Sequence, residues 1–406
     1  MIVSHQPAVH LAYCQNIHPG ETWPENYRNI ADKAAGVRRT VAQTSDWFGL
    51  GLRLSAAAAA QLEDVNEIAR GLDLFAEHQM YPFTINGFPF GKFHQTRVKE
   101  NVYAPDWQSR ERLEYTNRLA TILQYWLPEG IDGSISTVPG SFGPWIKSPE
   151  AIRTMAETLG DAVAHLATIQ RETGKRIHLG LEPEPDCFLE TTRQTLDFFQ
   201  NDLPAGALPR ITKTLGVTTS EAESLLRNHL GVCFDTCHIA LQYEDLSESL
   251  KALRAAGILI SKIQLSAAIR CGADDRSLLA LSRFAEGTYL HQVKGRGPSG
   301  IKVSWFDLPE ALEEAREPDC DELEELRIHF HVPLFLAPEA PLKSTASALD
   351  PSFWALVRDG VTSHLEIETY TFDVLPKDLQ PSRVEESISS EYRWTLANLS
   401  LPPVAL

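Results

Sequence analysis

Eight short apolar runs alternate with amphipathic stretches along this chain, and that alternation restricts the fold more than any single motif does. The runs are Val9–Cys14, Leu50–Leu54, Tyr81–Asn86, Ile131–Thr137, Ile177–Glu184, Gly231–Asp235, Ile258–Gln264 and His364–Thr371. Helical patterns fall between them at 63–79, 110–127, 149–173, 190–201, 246–256 and 353–360. Ser148 and Pro149 supply a helix start and Gly174 a stop. Strands joined through helices lie parallel, because each crossover returns the chain to the same end of the sheet. Eight such units favour a closed α/β barrel, the (β/α)8 or TIM barrel, over an open doubly wound sheet. No Gly-x-Gly-x-x-Gly follows the first run, which argues against a dinucleotide-binding arrangement.

The last four runs share a second property: each closes on a carboxylate or an amide. These are Glu182-Pro-Glu184, Asp235, Gln264 and Glu368. A barrel of this kind carries its chemistry at the C-terminal ends of its strands, so four oxygen ligands meet at one mouth and call for a divalent metal ion. The ligand set is Glu182 or Glu184, Asp235, Gln264 and Glu368. Oxygen donors suit Mn, Mg or Co, and Zn gains if histidines join. Each residue has a plainer reading: a helix N-cap for Asp235, a solvated Pro-rich turn for Glu182 and Glu184, a core amide for Gln264. Their common form and order favour the metal. His238, one turn beyond Asp235, returns over the same mouth and can ligate, bind a substrate hydroxyl or move a proton. Glu182, Glu184, His238 and Glu368 are therefore the candidate catalytic residues. Glu366 lies deeper on the same face and, if buried, needs a Lys or Arg partner.

Residues 265–350 are far too long for an ordinary connection. They read as an insertion after the seventh strand, placed over the barrel mouth, with a strand-like run at Arg327–Pro333 and a helix at 308–315. His329 and His331 share one side of that run. With His291 they are candidates for substrate binding, and His329 with His331 also for a zinc pair. His18 ends the first run, and Lys147 and Arg327 offer counter-charge to an anionic substrate. A second enlargement spans 86–107. The tail from 376 to 406 reads mainly as a helix over 382–397 against the barrel exterior, and the whole of 1–406 as one domain.

Length and charge set the remaining bounds. A chain of 406 residues, 43% hydrophobic and 22% charged, has the composition of a globular protein with a large core. The net charge of -17 opposes nucleic acid as the main partner, because phosphate binding needs a basic surface. Cys14, Cys187, Cys233, Cys237, Cys271 and Cys320 form no CxxC pair and suggest no disulfide framework. No basic-then-apolar leader is present, and the run of alanines after Ser55 is too short to span a bilayer. The expectation is a cytoplasmic protein without a membrane span, acting on a small molecule.

With these residues assembled, the chain resembles the xylose isomerase-like TIM-barrel superfamily of sugar isomerases, epimerases and endonuclease IV-like proteins. That resemblance implies one divalent ion held by Glu182 or Glu184, Asp235, Gln264 and Glu368, with His238 contacting substrate. Gln264 stands where many members have His. Tyr13-Cys-Gln-Asn-Ile-His-Pro-Gly20, Leu181-Glu-Pro-Glu-Pro185, Cys233-Phe-Asp-Thr-Cys-His238, His329-Phe-His-Val-Pro333 and Glu366-Ile-Glu-Thr-Tyr370 are similar to the EboE-type metabolite traffic proteins of the ebo gene clusters. This second resemblance implies a role with a secondary metabolite or its precursor, and partner proteins from the same cluster. The expected reaction is isomerisation or epimerisation of a hydroxy-carbonyl substrate through an enediolate. The alternatives are a metal-dependent hydrolase or phosphoesterase of endonuclease IV type, and a non-catalytic metabolite carrier. One ion per chain favours the first, two or three the second, none the third.

Overall fold

Each of the eight apolar runs becomes a parallel strand in the computed structural model, which describes residues 1–42, 46–94, 98–320 and 322–400. The strands are β1 (Ala8–Tyr13), β2 (Phe48–Arg53), β3 (Met80–Asn86), β4 (Gly133–Thr137), β5 (Ile177–Leu181), β6 (Leu230–Asp235), β7 (Leu259–Leu265) and β8 (His364–Ile367). They pair in sequence order from β2 to β8, and β8 pairs with β1. A parallel bridge from Cys14 to Gly51 brings β1 against β2 and closes the barrel. Gly51 is required at that seam. A Cβ there would lie 2.1 Å from Glu366 Oε1 and 2.8 Å from the Tyr13 carbonyl. Ile2–His5 adds an antiparallel strand outside β1.

Register sets the height of each site residue. Asp235 stands opposite Gln264, and Gln264 opposite Glu366, so these three share one layer. Glu368 follows two residues above Glu366. Glu182 follows directly after β5.

The helices hold three departures from the sequence reading. The stretch placed at 190–201 continues much further, through Leu203–Leu215, and a further helix covers Thr219–His229. Pro204 follows directly on a π-helical turn, Phe198–Asp202, within this continuous run, and Gly206 lies where a Cβ would approach Ala156 Cβ to 2.6 Å. Proline and glycine, which signal a break in isolation, here stand inside one helical run and let it approach Pro149–Thr173. Helical chain also fills Trp23–Val41, opened by a capping box of Thr22 and Glu25.

Between β7 and β8 the chain builds a second sheet, antiparallel and five-stranded. Its order is Gly300–Trp305, Val293–Gly297, Glu325–Ile328, Ile269–Cys271, Lys343–Ser344. The strand expected at Arg327–Pro333 ends at Ile328. Beyond it, His329 N bonds the Gln292 carbonyl and Val332 N the Ala267 carbonyl, which carries the two histidines off the sheet. A helix occupies Leu308–Glu314.

The tail helix, Val384–Leu399, packs on the outside of the barrel, with the Tyr392 ring 5.5 Å from Phe48 and 6.4 Å from Tyr13. Residues 401–406 of the tail, and 95–97 of the enlargement at 86–107, lie outside the described residues. The same helix buries Glu391, which accepts from Thr369 Oγ1 at 2.7 Å and from Leu334 N at 3.1 Å. Burial pushes its carboxyl up to about 7. A carboxyl raised in the folded state binds its proton more tightly there, so folding loses stability as pH rises from about 4.5 through 7. At about 1.4 kcal/mol per unit the full loss is roughly 3 kcal/mol. Glu391→Gln keeps an acceptor oxygen and removes the charge. It should be more stable than wild type at pH 8 and similar at pH 5, as read by urea unfolding at both values. An equal response of the two proteins to pH would refute the assignment.

Candidate metal centre

Three carboxylates close the mouth of the barrel, and each is delivered by a strand end. Asp235 ends β6 and caps the helix Thr236–Leu241. Its Oδ1 accepts from Cys237 N at 2.8 Å, His238 N at 3.1 Å and Ser266 Oγ at 2.7 Å. The N-cap reading thus holds for one oxygen, while Oδ2 has no partner among the described residues. Glu368 stands just past β8, and its Oε1 accepts from Asn16 Nδ2 at 2.8 Å and Asn86 Nδ2 at 2.9 Å. Glu182 leaves β5 with Oε2 unpartnered. One oxygen of each of the three lies within 4.8 Å of the others. All are buried.

Anionic oxygens so close inside a protein need a cation or a proton. Lys262 is fully buried nearby, but it is tied to Glu366. Burial, with Asp235 alongside, holds the Glu182 carboxyl well above the usual carboxylate range, and Lys262 opposes this only in part. Glu368 is raised in the same way by burial, Glu182 and Asp235. Burial works against the Asp235 charge too, but His238, His331 and the Ser266 hydroxyl hold its carboxyl below the usual value. Buried carboxylates gathered this closely, two of them with an unpartnered oxygen, are the donor set a hard divalent ion fits.

Glu184 belongs to the same mouth but a different neighbourhood. Its Oε1 accepts from Tyr103 OH at 2.9 Å and lies 3.8 Å from His329 Nδ1. Burial raises its carboxyl to about 8, against the pull of the Tyr103 hydroxyl.

His238, His329 and His331 converge above the carboxylates. The His238 and His329 Nε2 atoms are 3.0 Å apart, and those of His329 and His331 3.3 Å. The second sheet delivers the last two, because its strand ends at Ile328 and releases them over the barrel. Of these seven acidic and imidazole residues all but Asp235 line one cleft, together with Phe88, Phe93, Tyr289 and Tyr370.

Five residues expected at the site stand elsewhere or face otherwise. Gln264 turns Oε1 toward Cys233 Sγ at 2.7 Å and leaves Nε2 unpartnered. Rotating the amide by half a turn would exchange the two atoms. His18 bonds Tyr13 OH at 2.9 Å and lines a separate groove with Asn29 and Lys33. The single turn Gln15–Ile17 points Asn16, not His18, at Glu368. Lys147 is exposed, carried out after Phe142 turns inward to stack on Tyr103. Arg327 is held by Glu325 Oε1 at 2.7 Å and lies 4.1 Å over the Tyr243 ring. His291 bonds the His329 carbonyl at 2.8 Å and Glu286 Oε1 at 2.9 Å, so it supports the site from behind.

Its neighbour Gln292 is the residue that reaches in, with Oε1 2.7 Å from His329 Nδ1. Asn16, Asn86, Tyr103, Gln292 and Lys262 were not singled out from the sequence. Asn86 carried a usable sign, since it closes its strand with a polar group as the other four do, and so did Lys262, a lone charge within an apolar run.

The chain matches no protein-family model and no curated protein sequence. Solved structures similar to it include an IolI protein with a bound zinc atom, 12% identical, with 97% of this chain and 98% of that one covered at a TM-score of 0.47. Another is an L-ribulose 3-epimerase, 11% identical over 96% of this chain and 94% of that one, TM-score 0.47. A D-tagatose 3-epimerase-like protein is 12% identical over 96% and 98%, TM-score 0.45. Likeness this distant says nothing of this chain's chemistry. Among the described residues no helix is long and apolar enough to cross a membrane.

Proposed function

We propose that this chain is a divalent-metal-dependent isomerase or epimerase acting on a hydroxy-carbonyl compound, either sugar-like or a secondary-metabolite precursor as the EboE-type resemblance implies. The observation that supports it is the trio of Glu182, Asp235 and Glu368, whose oxygens gather within 4.8 Å at the barrel mouth. Gln264, with its amide turned, would add a fourth oxygen. The ion, of Mn, Mg, Co or Zn type, would polarise the carbonyl of a bound substrate and acidify the adjacent C–H. Glu184 is the group placed to take or return that proton, with Tyr103 OH holding its Oε1 in position. Asn16 and Asn86 each donate an amide N–H hydrogen bond to Glu368 Oε1, so its orientation does not depend on substrate. Phe88, Phe93, Tyr289 and Tyr370 present apolar faces that exclude water around the substrate.

The test is deuterium exchange from heavy water into ketoses and related hydroxy-ketones, followed by NMR, with the metal-loaded protein. Exchange should occur with at least one compound and fall by about 10²–10⁴ in Glu184→Gln. A second reading, metal-assisted hydrolysis, is favoured by the three histidines, because such reactions use more than one ion. Phosphate release from phosphoesters without any C–H exchange would establish that reading and end the first.

A further inference from the structure

We infer that the compound this cleft takes is an uncharged α-hydroxy ketone carrying an aromatic ring, with the ring seated among Phe93, Tyr289 and Tyr370. The hydroxy-carbonyl half rests on the isomerase reading, and the ring half on the cleft wall alone. Three segments remote in the chain build that wall. Phe93 comes from the enlargement at 86–107, Tyr289 from the insertion, and Tyr370 from the exit of β8. The Phe93 ring centroid stands 5.2 Å from that of Tyr289 and 5.3 Å from that of Tyr370, and the two tyrosine rings are 5.1 Å apart. These are the spacings of direct aromatic contact. Phe93, Val98 and Tyr289 form a buried apolar cluster separate from the barrel core, and Val102 and Tyr370 pack against it. Large apolar side chains gathered apart from the core, and lining a cleft, are what holds the hydrophobic part of a small molecule.

The amide and cationic donors of the cleft are already engaged. Asn16 Nδ2 and Asn86 Nδ2 both donate to Glu368 Oε1. Among the described residues Lys99 is the one Lys or Arg that lines the cleft. Its Nζ donates to the Tyr289 carbonyl at 2.7 Å and to Asp307 Oδ2 at 2.5 Å, so its charge is met. Lys147 is exposed elsewhere, and Arg327 is held by Glu325. No unpaired ammonium or guanidinium is left to receive a phosphate or a carboxylate, which selects an uncharged ligand.

A polyol meets a similar obstacle. Each hydroxyl brought against the aromatic wall gives up water, and the rings return only the phenol groups of Tyr289 and Tyr370. A flat hydrocarbon ring loses nothing there and gains contact with three others. The Tyr370 ring also lies 4.8 Å from that of His331, so the wall runs on directly from the imidazoles. A ring carried next to the hydroxy-carbonyl head therefore reaches it.

The experiment is calorimetric titration of the full chain loaded with Mn²⁺, using three α-hydroxy ketones. These are phenylacetylcarbinol, acetoin, which has the same head and a methyl group in place of the ring, and fructose. Wild type should bind phenylacetylcarbinol at least about tenfold more tightly than either of the others. Tyr289→Ala should narrow that preference by about tenfold. Phe93→Leu, which keeps an apolar side chain in the cluster, should narrow it by about 2–10-fold. Circular dichroism of both variants guards against unfolding. Fructose or acetoin bound as tightly as the phenyl compound, or variant losses equal for all three, overturns the inference. Deuterium exchange into the same compounds separates it from the isomerase reading. Ring preference without exchange in any of them upholds the ring seat and ends that reading, whereas exchange into fructose without ring preference does the reverse.

Discussion

Lys262→Met should cost about 3–5 kcal/mol of folding stability, the range for breaking a buried ion pair from one side. Lys262 and Glu366 are both fully buried and hydrogen-bonded to each other inside the barrel. Burial disfavours the ammonium, but the Glu366 carboxylate outweighs it and raises the lysine above its ordinary value. The lysine therefore keeps its charge throughout the working pH range. Taking away the lysine leaves Glu366 with Oε1 already unpartnered and Oε2 newly so, pressed against the Gly51 seam. It also leaves Glu182 and Glu368 without the cation that moderates them. The double variant Lys262→Met/Glu366→Leu should recover much of the loss, because a pair exchanged for apolar groups of similar volume is often neutral. Chemical denaturation of wild type, Lys262→Met, Glu366→Leu and the double variant gives the coupling energy. A single-variant loss below about 1 kcal/mol would place the pair in the class of weak surface bridges and refute its buried role.

The barrel was readable because its evidence is local. Each strand is a short apolar run with a polar terminus, and the alternation with helices leaves few topologies. Asp235, Glu182 and Glu368 were readable for the same reason: they sit where a strand ends, and strand ends share one face. What escaped the sequence is carried by contacts remote along the chain. Asn86 reaches Glu368 across 282 residues, and Gln292 reaches His329 across 37. His291 and Gln292 are adjacent and both polar, and only the pairing of Val293 with Ile328 decides which one meets His329. The need of Glu366 for a cation was visible from its parity, and Lys262, a lone charge within an apolar run, was the available sign of which one. The helices between 203 and 229 were hidden by Pro204, Gly206 and Pro209, residues that read as breakers until the close approach to the preceding helix is known.

Asp235→Asn separates the two roles of that residue, and the separation is what makes it informative. Asparagine keeps an oxygen in the place of Oδ1, so the bonds from Cys237 N, His238 N and Ser266 Oγ survive and the helix Thr236–Leu241 stays capped. An NH₂ then replaces the unpartnered Oδ2, and a donor there cannot ligate a cation. In wild type, an ion present at about a hundredfold its dissociation constant stabilises the fold by roughly 2.7 kcal/mol, and a chelator removes that increment. The variant should show a much smaller response to chelator. Its stripped form should melt at or above the temperature of stripped wild type, because one of three crowded carboxylates has lost its charge. Thermal unfolding of both proteins, with metal content measured beforehand, decides the matter. If metal-loaded wild type melts unchanged after chelation, or if the variant responds to chelator as wild type does, no ion is held by Asp235. The unpartnered oxygen of Glu182 would then have to be satisfied by a proton, in line with its raised carboxyl.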